Sequence, residues 1–418
     1  MRIGYACIAL AVPGTELHTT TLRNATPERL SQVCSDNLDA LDRMIDYNIR
    51  QGIGLLRISS DLIPFASHEE IRFPWAKLFA NRLADVGAKI NSANLRVSMH
   101  PGQYTVLNSP DPGVVRRTIL DLAYHTQVLD LLGVGPAHKI ILHVGGIYGD
   151  KIQALERFSE NYQALPEAVR RRLVIENDDR LYTISDVLDL ATRLGIPAVY
   201  DNLHDAVNPS ADTALPAEWI RRAAATWHTT DGPQKIHYSQ PNPSRRAGAH
   251  SDTIDVGAFV EFSRDLPEDI DIMLEVKDKN ISVMKCIACT EPRRIEFLEE
   301  EWARYKYVVL EHSAAQYQAI RELLREKNRY PAREMYDRIG DALAQEPTVG
   351  SFTNAAQHVW GYFRGKASAS EQKRFQNLLD AYAAGQGSGE PVKRMLLRLA
   401  QKYEVRYLME SYYFSISI

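Results

Sequence analysis

Eight residues able to bind metal or move protons recur in this sequence towards the end of a short apolar run or in the loop just after it, and a ninth opens one such run. His100 closes LRVSMH, His143 closes KIILH, Glu176 closes LVIE, and Asp201 closes AVYD with His204 just beyond. Lys235 and His237 sit in KIHYS, His250 in the loop that follows, and Glu275 in DIMLEV. Imidazoles and carboxylates mixed in this way suit zinc, manganese or iron by ligand type. The set is too large for one ion, whereas two or three ions sharing bridging carboxylates would use all of it. Clustered divalent cations ionise water, hold a phosphate and neutralise the leaving oxygen, which is the chemistry of phosphodiester hydrolysis. Glu176, Glu275, Lys235 and His237 are expected nearest the reacting atoms. A lone histidine in a strand is ordinarily a hydrogen-bonded core residue, so the case rests on six successive runs ending in the same residue types. His68, after the second run, is a candidate for a further ligand or a support to one. His125, His228 and His312 read as structural.

Lys235 is the odd member. An ammonium facing a metal cluster is disfavoured and its pKa falls. It is expected to be neutral, to contact a phosphate, to carry a carbamate that makes it an anionic ligand, or to snorkel to a rim carboxylate. The loop after His100 reads His-Pro-Gly-Gln-Tyr-Thr. Pro-Gly turns the chain and presents Gln103 and Tyr104 beside a ligand candidate. An aromatic at a loop tip can stack on or wedge between bases while an amide fills the vacated space; the alternative is a tyrosine packed on its own fold. The doublets Arg116–Arg117, Arg221–Arg222 and Arg245–Arg246 are suited to phosphates, and Arg246 is favoured because it lies between His237 and His250. Cys286 and Cys289 form a C-x-x-C pair with no second pair, and read as structural.

The elements that must position these residues alternate. Strand-like runs are expected at Arg2–Ile8, Ile53–Ser59, Leu95–His100, Lys139–Val144, Leu173–Asn177, Ala198–Asp201, Lys235–Ser239 and Asp271–Val276. Patterns of helical period lie between them: Leu38, Leu41, Ile45; then Ile152, Leu155, Phe158, Tyr162; then Val187, Leu190, Leu194. Eight β–α units in succession specify an α/β fold, a TIM (β/α)8 barrel, whose active site is built at the C-terminal ends of the strands. Past Pro292 strand runs cease. Helices are expected over Ile295–Lys327, Ala332–Leu343, Thr353–Arg364, Ser370–Tyr382 (with Ser370 as its cap) and Val392–Tyr403. This predicts a barrel over residues 1–295 and a small all-α C-terminal domain over 296–418.

The 418 residues, 45% of them hydrophobic, are ample for a barrel plus an appendage. No apolar run is long enough to span a bilayer, and the N-terminus lacks the pattern of a signal peptide. Four cysteines in a chain of this length fit a reducing cytoplasm. The net charge of −4 counts against nucleic acid as a partner, unless bound cations and local arginines supply the positive field.

Seven stretches together resemble the UV damage endonuclease family: LLRISSDLIP (55–64), VSMHPGQYTVLNSP (97–110), LHVGG (142–146), VIENDD (174–179), KIHYSQP (235–241), GAHSD (248–252) and MLEVKDK (273–279). The resemblance covers almost the whole barrel, and the HPGQY loop together with KIHYS is its most specific part. It implies a DNA repair enzyme that nicks damaged double-stranded DNA immediately 5′ to cyclobutane pyrimidine dimers, 6-4 photoproducts or other distorting lesions. It implies a cluster of divalent metal, typically manganese, with zinc as the other expectation, and no organic cofactor. By this resemblance the ligands are His100, His143, Glu176, Asp201, His204, His237, His250 and Glu275. Lys235 falls at a carboxylated lysine, Gln103 and Tyr104 at the lesion probe, and Tyr5 at a further residue lining the DNA site. Ala9 and Asp205 depart from the family's usual Asn and His. The C-terminal region resembles a small helical bacterial domain of unknown function. A monomer is expected. The competing readings are a xylose isomerase-like sugar isomerase and a damage sensor that no longer cleaves.

Overall fold

A computed structural model describes residues 1–416. Eight parallel strands close into a barrel in chain order: β1 (Arg2–Ala6), β2 (Leu55–Ile58), β3 (Arg96–Met99), β4 (Ile140–His143), β5 (Leu173–Glu176), β6 (Ala198–Asp201), β7 (Lys235–Tyr238) and β8 (Asp271–Leu274), with β8 pairing β1. This is the TIM barrel expected. The strand β6 matches its expected run, β2 is three residues shorter and the others are one or two residues shorter, because the run ends bend into loops. Among the described residues no helix is long and apolar enough to cross a membrane.

Local signals fix the helices around it. The 25-residue helix Pro27–Gln51 starts where the Thr26 side chain accepts from the Arg29 amide with Pro27 just inside, and stops where Gly52 takes a left-handed φ of 71°. Its stripe Leu38, Leu41 and Ile45 is buried against the barrel unit. The helix Ile184–Leu194 opens with a reciprocal cap between Thr183 and Asp186 and buries Val187 and Leu190. One expected stripe is shifted. In the helix Lys151–Ala164 the core line is Ala154, Phe158 and Tyr162, spaced at i, i+4, while Ile152 is 71% exposed.

Alternate residues of each strand point into the barrel, and they stack in layers of different chemistry. The N-terminal end is ionic: Asp271 takes Arg2 Nε at 2.8 Å and Arg96 Nη1 at 2.6 Å. The middle is apolar, with Ala6, Leu55 and Met273 on one side and Ile141, Val174 and Val199 on the other. The C-terminal end carries the imidazoles and carboxylates.

The chain divides into two compact units. The first comprises Met1–Ala9, Gly14–Asp255 and Glu261–Met284; the second comprises Leu10–Pro13, Val256–Val260 and the chain from Lys285 on. The second unit is helical throughout its C-terminal part, as expected, with three corrections. The stretch Ile295–Lys327 is two helices, Ile295–His312 and Ala314–Leu323, because extended Ser313 ends one and caps the other through the Gln316 amide. The next-but-one helix runs over Val349–Trp360 instead of starting at Thr353, since Thr348 and Ser351 cap each other reciprocally. The cap of the helix Ala369–Ala383 is Ser368, paired with Glu371, instead of Ser370. Cys286 is buried, and burial pushes the Cys289 thiol up to about 12, which keeps it protonated and unreactive.

Candidate metal centre

Strand parity delivers the ligand-type side chains. On β7, residues two apart share a face, so Lys235 and His237 both enter the barrel, and both are fully buried. The same parity on β2 and β8 brings Arg57 and Glu275 together as an ion pair across the mouth.

Glu176, at the end of β5, is the hub. Its Oε1 lies 2.7 Å from His237 Nδ1 and 3.8 Å from His204 Nδ1. Its Oε2 lies 3.1 Å from His100 Nε2 and 3.8 Å from His143 Nε2. Two groups of donor atoms, His100–His143–Glu176 and Glu176–Asp201–His237, each fall within 4.8 Å of one another. They share Glu176. Glu275 extends the cluster, with His237 Nδ1 at 3.3 Å from Oε1 and His250 Nε2 at 3.8 Å from Oε2. Asp201 caps the following short helix, its Oδ1 accepting the His204 amide. All eight ligand candidates are therefore brought to one place.

The donor set fits a metal cluster on a second count. Asp201 Oδ2, His237 Nε2 and His143 Nδ1 are buried without a hydrogen-bond partner. Buried polar atoms left unpaired cost free energy, and bound cations would satisfy them. Electrostatics sorts the protons. Burial opposes ionisation of Glu176, but His237 and His143 hold its carboxyl well below the usual range. Burial likewise opposes charge on Glu275, where Arg57 and then His237 dominate and keep it ionised. Burial pushes His143 down to about 4, so it is neutral and able to donate a lone pair. His204 is pushed the other way: burial lowers it, but Asp201 and Glu176 carry it to about 9. Burial raises Asp201 to about 6.

Lys235 Nζ is buried without a partner, and burial together with Arg96 drives its pKa well down. The charges acting on it are Arg96, Asp271 and Arg2 of the ionic layer and Arg57 of the mouth. Gln103 is exposed and Tyr104 is 83% exposed. Their loop turns through a Thr105 amide to Gly102 carbonyl bond of 3.0 Å and is moored by Thr105 Oγ1 to Asp121 Oδ2 at 2.7 Å. Arg246 is exposed near the tip of a hairpin closed by the Pro241–His250 bridge.

Other residues are placed elsewhere. Tyr5 points outward between strand and helix, fully buried, its hydroxyl donating to Asn48 Oδ1 at 2.9 Å, so in this structure it offers no surface to DNA. The His68 ring packs edge-on against Phe65 and its Nδ1 accepts the Glu70 amide at 3.2 Å, and it joins neither donor group. Asp205 accepts from the Tyr200 hydroxyl at 2.9 Å. His125 is fully buried, with Nε2 2.9 Å from Ser60 Oγ, which in turn donates to the His100 carbonyl at 2.7 Å. The residue not anticipated from sequence is Arg57. Its signal was present, since a single charge inside the apolar run Leu55–Ile58 must find a buried partner.

The family model described as UV-endonuclease UvdE matches residues 1–303, and that of a protein of unknown function, DUF1722, matches residues 306–416. A UV DNA damage endonuclease of Clostridium perfringens is 34% identical over 423 aligned positions, covering 100% of both chains. One of Bacillus cereus (strain Q1) is 34% identical over 298 positions, covering 69% of this chain and 93% of its own. The crystal structure of SacUVDE superposes with a TM-score of 0.66 at 37% identity, over 69% of this chain and 97% of that one. The chain belongs to the UV-endonuclease UvdE family of endonucleases.

Proposed function

We propose that this chain is a metal-dependent DNA repair endonuclease that hydrolyses the phosphodiester bond immediately 5′ to cyclobutane dimers, 6-4 photoproducts and similar distorting lesions, leaving a 3′-hydroxyl and a 5′-phosphate. The observation that carries the metal chemistry is the pair of donor groups sharing Glu176 at the barrel mouth. The reading of the lesion rests on family membership and on the exposed Gln103–Tyr104 tip. We assign catalysis to residues 1–295 and leave 296–418 as a separate helical domain.

Two or three divalent ions, manganese by the family's habit, would supply an ionised water and a counter-charge for the phosphate. Glu176, common to both donor groups, would help to hold more than one ion, together with His100 and His143 in one group and Asp201 and His237 in the other. Glu275 and His250 complete the set, Arg57 fixing the charge and orientation of Glu275. His204, raised to about 9 by Asp201 and Glu176, would have to give up its proton to hold an ion. Lys235, with no partner and three arginines among its neighbours, suits a carbamate, whose negative charge those arginines would balance. Tyr104 and Gln103 enter the lesion, and Arg246 meets a phosphate beyond it.

The test is a plasmid assay. Irradiated and undamaged supercoiled DNA are incubated with the protein, with and without exhaustive chelation, alongside a panel of sugars. Nicks confined to irradiated DNA and abolished by chelation are expected. Nicking that survives chelation, with metal loss confirmed by elemental analysis, overturns the metal mechanism. Sugar turnover without nicking overturns the DNA reading.

A further inference from the structure

The two units differ in charge. Residues 285–418 contain 20 Lys and Arg against 17 Asp and Glu, a balance of +3. The rest of the chain, by difference from the totals of 49 and 53, has 29 against 36, a balance of −7. The other residues of the helical unit, Leu10–Pro13 and Val256–Val260, add no charge. An acidic barrel repels a polyanion outside its metal centre, so the positive unit is the place to look for backbone affinity.

That unit has a cleft of about 410 Å³ between the helices Ala369–Ala383 and Glu390–Lys402. Arg394, Arg398 and Lys402 line it at intervals of four residues, and Arg374 faces them from the other helix. Met395 and Leu399 form an apolar floor at the same period. Like charges at i, i+4 repel one another, and only the two ends of the row are relieved. Lys402 is held by Glu371 at 2.7 Å, and the Glu390 carboxylate is 3.7 Å from Arg394. Among the described residues Arg374 and Arg398, both exposed, have no ion pair. Cations four residues apart, about 6 Å along the helix, over an apolar strip match a nucleic-acid strand, whose phosphates recur along one edge with sugars between them. Guanidinium forks bind phosphate in two-point fashion.

We propose that this cleft binds the phosphate backbone of duplex DNA away from the lesion, giving the helical domain the task of sequence-independent affinity. The choice of DNA as occupant rests on the function proposed above.

The experiment uses the full chain and an undamaged duplex, so that lesion recognition does not enter. Affinity is measured between about 50 and 200 mM salt, where each phosphate contact contributes about 0.9 to the slope of log K against log salt. Arg374→Gln/Arg398→Gln is expected to lower that slope by about 1.8 and to weaken binding at least tenfold at the middle of the range. Arg374→Lys/Arg398→Lys should keep most of the slope. As a control, Arg325→Gln/Arg329→Gln removes the same charge from the same unit at arginines already beside Glu322 and Glu326, and should leave the slope alone. Nicking of irradiated DNA should be unchanged in the Arg325/Arg329 control. An unchanged slope in the Arg374/Arg398 glutamine variant, with its melting temperature unaltered, overturns the proposal, as does an equal loss in the control. A chain that binds with the expected slope but never nicks irradiated DNA refutes the endonuclease reading and leaves the cleft assignment standing.

Discussion

Glu176 Oε1 sits 2.7 Å from His237 Nδ1, which turns the opposite ring nitrogen of His237 into a buried position with no partner. A carboxylate that fixes an imidazole's orientation sets which nitrogen faces a ligand. Because the other Glu176 oxygen reaches His100, losing its charge disturbs both donor groups at once. Glu176→Gln is expected to lose at least one bound metal per chain by elemental analysis and at least about a hundredfold in nicking rate, with affinity for undamaged duplex retained. Full metal content in this variant would show that Glu176 is not the bridge.

Arg57 acts through Glu275. Burial disfavours the Glu275 carboxylate, and Arg57 is the largest influence holding it ionised. In Arg57→Gln the carboxyl rises toward its ordinary value, so the acid limb of the pH–rate profile should move to higher pH and kcat should fall about tenfold or more. Arg57→Lys, which keeps the charge, should restore most of the profile. A rate loss with an unmoved acid limb would mean that Arg57 serves only to hold the barrel together.

The Gln103–Tyr104 tip is exposed and moored through Thr105, outside the two donor groups. Replacing both residues with Ala should leave metal content and melting temperature unchanged. The ratio of affinities for a dimer-containing duplex and its undamaged twin, at one salt concentration, should shrink by about 1–3 kcal/mol for a lost stacking contact. An unchanged ratio would place lesion reading elsewhere in the barrel mouth.

His138 offers a pH test of stability. Burial, then Arg96, lowers its pKa to about 3, and its Nδ1 accepts the Val97 amide at 3.0 Å. The folded chain keeps this ring neutral, whereas the unfolded chain protonates it below about 6.5. The contribution is therefore intact above about 6.5 and is lost progressively as pH falls toward 3. In metal-free protein, urea unfolding at pH 7.5 and 5.5 should show wild type losing about 1 kcal/mol more than His138→Gln over that interval. Equal losses would mean that His138 is already charged in the fold.

The barrel was legible because each strand is a short apolar run ending in a polar signal, and the cluster of imidazoles and carboxylates because those ends carry the same chemistry. Side-chain parity decided the rest. Applied to β7, it placed Lys235 and His237 inside correctly. On β1 it sends Arg2 and Ala6 inward and Tyr5 toward Asn48, so a residue matched by family position alone landed on the wrong face. Arg57 escaped notice because its partner is 218 residues away, a pairing that only closure of the barrel creates. Ile152 was misread because helical period does not say where the stripe begins, and Ala154, small enough to sit close to its neighbours, took the buried place.

Asp271, fully buried, joins Arg2 on the first strand and Arg96 on the third, across a sequence gap of 269 residues in the first case. A ribosome has to deliver nearly the whole barrel before that clasp can close. Until then β1 has a bare edge along its β8 side, with two arginines waiting for one carboxylate. Contacts this distant in sequence form slowly, and unpaired strand edges invite association with other chains. The nascent barrel should therefore be most vulnerable to aggregation in the interval between synthesis of β7 and release of β8, and anything that stalls translation there prolongs the exposure.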